Sequence, residues 1–91
     1  MALDYDSTFS LDPAAWFEAL SLLKAKTGWS IIGVTMRYEG ETADIDSRYG
    51  DICDRIFFTS RQAKIAFLRE RGIEVDVWIE DSPHWLFQNS A

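Results

Sequence analysis

The stretch Leu3-Asp4-Tyr5-Asp6-Ser7-Thr8 decides how the rest of the chain is read. Met1 to Asp4 is a short apolar start that runs straight into acid. Such a run predicts a buried first strand with Asp4 at its end and Asp6 just beyond. Two carboxylates placed there predict the acidic heart of a functional site at that strand end.

Working outward, strand and helix patterns alternate. Asp12-Pro13 predicts a helix start, with Asp as the cap and Pro at the first helical position. Trp16, Leu20 and Leu23 recur at helical spacing, and Thr27-Gly28 ends the run. Ser30-Ile31-Ile32-Gly33-Val34-Thr35 is almost continuously apolar, which fits a strand covered on both faces. The stretch from Arg37 to Asp54 is polar, and a short helix is expected around 43–49. Arg55-Ile56-Phe57-Phe58-Thr59 reads as a third strand. Ser60 is then expected to cap a helix through about Arg71, ended by Gly72. Val75-Asp76-Val77-Trp78-Ile79 reads as a fourth strand, with Asp76 tolerated because that strand lies at an edge. Ser82-Pro83 opens a last short helix.

That alternation predicts an α/β fold: a four-stranded parallel sheet in the order 3-2-1-4, with helices on both faces. It is the three-layer, Rossmann-like arrangement. In such sheets ligands bind at the carboxyl ends of the strands. Every predicted strand ends in polar residues there: Asp4 and Asp6, then Thr35, then Thr59-Ser60, then Glu80-Asp81. Groups far apart in sequence therefore converge on one edge. Clustered carboxylates repel unless a cation joins them, and hard oxygen ligands favour Mg²⁺. Hydroxyls at Thr35 or Thr59 can donate to a phosphate, and a lysine can cover its charge.

The bulk numbers fit this reading. At 91 residues the chain makes one small domain, 1–91. Six Phe, four Trp and three Tyr can supply its core. A net charge of −6 argues against broad electrostatic binding to nucleic acid. It leaves open the recognition of one phosphate through a metal ion. Cys53 is the single cysteine, which excludes an intrachain disulfide and predicts a reducing, cytoplasmic setting. No apolar run reaches the roughly 20 residues of a membrane span, and the first residues lack a signal-peptide pattern. The exposed fourth strand and the many aromatics predict self-association into a homo-oligomer.

The set of motifs resembles the haloacid dehalogenase (HAD) superfamily of phosphatases. Asp4-Tyr5-Asp6-Ser7-Thr8 matches its Asp-x-Asp-x-Thr motif after an apolar strand. Thr35 matches the Ser or Thr after strand two. Lys64 matches the cation before strand four, with Arg61 and Arg37 as rivals for that place. Glu80-Asp81 matches the acidic pair after strand four, where relatives often begin with Asp. The resemblance covers nearly the whole chain, in order. It implies a small capless stand-alone protein of bacterial or phage type. Asp4 would be the nucleophile that forms an aspartyl phosphate, and Asp6 the acid and base. Thr35 would hydrogen-bond the phosphoryl group and Lys64 would neutralise it. Asp4, the backbone carbonyl of Asp6, and Glu80 or Asp81 would bind Mg²⁺. The substrate would be a small phosphorylated molecule: a nucleotide, a sugar phosphate or a nucleic-acid end. Two other readings compete: a HAD-like module that binds without turnover, and a receiver-like signalling domain. The latter expects an acceptor Asp where Thr59 stands.

Overall fold

The computed structural model describes residues 1–90. Four parallel strands form one sheet: β1 (Ala2–Leu3), β2 (Ile32–Thr35), β3 (Arg55–Phe58) and β4 (Trp78–Ile79). Their order is β3-β2-β1-β4, as the alternation predicts. The helices are α1 (Pro13–Thr27), α2 (Ser47–Ile52) and α3 (Lys64–Arg69). Short 3-10 turns cover Phe9–Leu11 and Pro83–Leu86.

Successive strand side chains point to opposite faces, and the core divides accordingly. Leu3 packs with Tyr5, Phe9, Leu20, Tyr49 and Ile52, the side of α1 and α2. Ala2 packs with Val34, Phe57, Phe67 and Leu68, the side of α3. Helices thus cover both faces of the sheet. No helix of the described residues is long and apolar enough to cross a membrane.

β1 is only two residues long, yet it is the central strand. Ala2 N–H donates to the Val77 carbonyl and Asp4 N–H to that of Ile79, while the Met1 carbonyl accepts from Ile32 N–H. Both neighbours therefore fix the level at which Asp4 leaves the sheet. Gly33 of β2 serves the same end. A Cβ there would lie 2.6 Å from the Tyr49 hydroxyl oxygen, so only glycine admits that ring. The hydroxyl donates to the Leu3 carbonyl at 2.6 Å, the last residue before Asp4.

Several element boundaries differ from expectation, each for a local reason. The helix expected over 43–49 begins at Ser47, because Asp46 accepts from Arg48 N–H at 2.9 Å and caps it. The Tyr5 hydroxyl fixes that cap by accepting from Asp46 N–H. Ser60 caps nothing. Ser60 and Arg61 adopt left-handed backbone, φ 53° and 70°, and α3 starts later, at Lys64. Its free Ala63 N–H is taken by the Asn89 side chain at 2.8 Å. The helix ends at Arg69, and Gly72 (φ 74°) closes the turn after it. β4 is two residues long, because β1 offers only Ala2 and Leu3 to pair with. Asp76 therefore lies in the exposed lead-in, before the strand rather than in its middle. The helix α1 keeps its expected ends: Asp12 accepts from Ala15 N–H, and Gly28 is left-handed at φ 70°.

Candidate active site

The carboxyl ends of β1 and β4 lie side by side, so Asp4 and the pair Glu80-Asp81 meet although 76 residues separate Asp4 from Glu80 in sequence (80 − 4). One carboxylate oxygen from each of Asp4, Glu80 and Asp81 falls within 4.8 Å of the others. Lys64, the first residue of α3, reaches into this group. Its ammonium donates to Asp4 Oδ1 at 2.8 Å and to Glu80 Oε2 at 2.5 Å. The Lys64 side chain is only 2% exposed. A lysine is buried so completely only when paired, and both of its partners are acids of this cluster. That burial separates Lys64 from Arg61 and Arg37, its rivals at the sequence level.

The Thr8 hydroxyl stands between two of the acids, 3.3 Å from Asp4 Oδ2 and 3.2 Å from Asp81 Oδ1. It has one proton to donate, so it serves one of them at a time. Burial pushes the Asp4 carboxyl up to about 7, against the pull of Lys64, and the nearby Asp81 carboxyl adds to the rise. Asp81 moves the other way, held down chiefly by its hydrogen bond with Asp4. The two carboxyls are therefore pushed in opposite directions by one another.

Asp6 borders the same cavity, but its carboxylate points to Arg37. Arg37 grips it at 2.6 and 3.0 Å. The same guanidinium binds Asp44 at 2.5 and 3.2 Å and the Glu41 carbonyl at 2.9 Å. These acids raise the Arg37 pKa, and Arg37 in turn lowers that of Asp44. Of the residues expected around a metal, the carboxylates of Asp4, Glu80 and Asp81 converge, while the Asp6 side chain stands apart. Thr35 ends β2 as expected and is 1% exposed. Its hydroxyl accepts from Arg37 N–H at 3.4 Å, and it does not line the cavity.

The cavity measures about 240 Å³ and opens to solvent. Asp4, Lys64, Glu80 and Asp81 line it together with Arg61 and Trp85. Trp85, half-buried, is part of this wall. The role of Thr8 was within reach of the sequence, as the last position of Asp4-x-Asp6-x-Thr8. The wall residues Trp85 and Ser90 carried no such signal, because only the fold returns the far end of the chain to this edge. No family model, curated protein or solved structure matches the chain.

Proposed function

We propose that the chain is a Mg²⁺-dependent phosphomonoesterase of the haloacid dehalogenase type, working through an aspartyl phosphate on Asp4. The observation that carries this reading is the buried ion pair of Lys64 with Asp4 and Glu80, at the strand edge where Asp81 also arrives. A purely structural lysine needs one acid. Here two acids hold a single ammonium and a third carboxylate, Asp81, lies within 4.8 Å of theirs beside an open cavity, an arrangement suited to further positive charge and an anionic guest.

The donor set fits a hard divalent cation. Asp4, Glu80 and Asp81 offer carboxylate oxygens close enough to share one ion. Mg²⁺, when bound by them, would offset charge on the phosphoryl oxygens during transfer. The rest falls to the chain's own groups. A carboxylate oxygen of Asp4 bonds to phosphorus, and the ester P–O bond breaks with its electron pair going to the leaving oxygen. Asp6 gives that oxygen a proton. Asp6 then takes a proton from water, whose oxygen bonds to phosphorus and releases inorganic phosphate and the Asp4 carboxylate. Lys64 neutralises the phosphoryl group through both steps. Asp6 must leave Arg37 to take part, and it is 54% exposed.

The test is hydrolysis of p-nitrophenyl phosphate with and without Mg²⁺. Wild type should turn it over only with the metal, and Asp4→Asn should lose on the order of 10⁴-fold in kcat. Full activity in Asp4→Asn would sink this mechanism. The grip of Arg37 on Asp6 favours one alternative: a HAD-like module that holds a nucleotide or a protein partner without turnover. Calorimetry showing nucleotide binding with no release of phosphate would select it.

A further inference from the structure

Among the described residues, two cations line the cavity, Lys64 and Arg61. They are in opposite states. Lys64 is buried and commits two of its three N–H donors to short bonds with Asp4 and Glu80. Arg61 has donors to spare. Its guanidinium lies 3.4 and 3.5 Å from the two Glu41 oxygens, long for a charge-assisted bond, and 3.2 Å from the Met36 carbonyl. Its remaining contact is the face of Tyr38, with the ring centre 5.2 Å away. The Arg61 side chain is 34% exposed. Arg37, which follows β2, is by contrast fully engaged with Asp6 and Asp44.

The backbone that presents Arg61 is costly and well braced. Ser60 and Arg61 both take left-handed φ, an uncommon conformation for side chains other than Gly, Asn or Asp. Three main-chain bonds hold them there: Ser60 N–H to the Arg37 carbonyl, Arg61 N–H to the Met36 carbonyl, and Ser90 N–H to the Arg61 carbonyl. A strained, braced turn therefore carries an under-used guanidinium to the wall of the cavity that Asp4, Lys64, Glu80 and Asp81 also line.

We propose that Arg61 selects substrates bearing a second anionic group, phosphate or carboxylate, beside the phosphate that is cleaved. Glu41 is the placeholder for that group. This rests on the phosphatase reading above. A planar guanidinium grips either anion through two parallel bonds, and Glu41 supplies the same chemistry from within the chain.

The experiment measures kcat/KM on matched pairs: glucose 1,6-bisphosphate against glucose 6-phosphate, and 3-phosphoglycerate against glycerol 3-phosphate. Wild type should prefer the doubly anionic member of at least one pair by about tenfold, the worth of one charge-assisted contact. Which pair shows the preference identifies the second group. Arg61→Gln should abolish the preference, and Arg61→Lys should keep part of it. Glu41→Gln, which leaves the strained turn untouched, should widen it. Because each variant is read as a ratio within itself, partial loss of folding cancels. A ratio near one in wild type for both pairs, or a preference that survives Arg61→Gln, would overturn the proposal. If no substrate is hydrolysed, the phosphatase reading falls by itself. Calorimetric Kd ratios for the same pairs then decide on Arg61 by the same criteria.

Discussion

At the scale of single residues, the clearest consequence concerns Asp4. Its carboxyl is 6% exposed and is raised from 3.8 to about 7, mainly by burial. A group that holds its proton more tightly when folded stabilises the fold below its unfolded pKa and loses that contribution as pH rises through the folded value. Without divalent cations, stability should therefore fall between about pH 4 and pH 7, by at most ~1.4 kcal/mol per pH unit. Asp44, Asp54 and Asp81 are shifted downward, so their contributions are lost only below that window. Urea titrations at several pH values should reveal the decline in wild type and its absence in Asp4→Asn. A flat wild-type profile would refute it. Asp4 and its acidic partners were legible in the sequence because a strand that ends in acid announces itself. Lys64 was less so: a helix lysine reads the same whether solvated or buried. Only its burial against Asp4 and Glu80 in the fold decides between the two.

At the scale of elements, β2 and α2 are keyed together by Gly33 and Tyr49. Their close approach sets the height of Leu3 and hence of Asp4. Gly33→Ala forces a Cβ into the tyrosine ring and should cost ~1–3 kcal/mol. A shift of the thermal midpoint, measured beside Tyr49→Phe, checks this; an unchanged midpoint in Gly33→Ala would contradict the packing. The order of elements was readable because apolar runs and caps alternate along the chain. The boundaries that failed share one cause. Ser60 has the identity of a cap, but the turn after β3 is held by Arg37, Met36 and Ser90, residues remote in sequence. The start of α2 likewise depends on the Tyr5 hydroxyl, 41 residues away from Asp46. Local propensity does not contain such contacts.

At the scale of the molecule, the site draws on both ends of the chain. β1 pairs with β4, and Asp4 meets Glu80 and Asp81 only through that pairing. A chain stopped at residue 76 keeps most of its core residues but loses the partner on one side of its central strand. It should lack cooperative unfolding and show a far-UV circular dichroism spectrum with little native structure. A folded, cooperative fragment would show that β4 is dispensable. The long separation of these contacts also says something about time. On the ribosome, Asp4 can gain β2 beside it early, but β4 and the companion acids Glu80 and Asp81 follow only about 75 residues later. Loop closure of that length slows folding. Asp4 thus stays apart from Glu80 and Asp81 until β4 has been made, and the cluster assembles in a single step that waits on that strand.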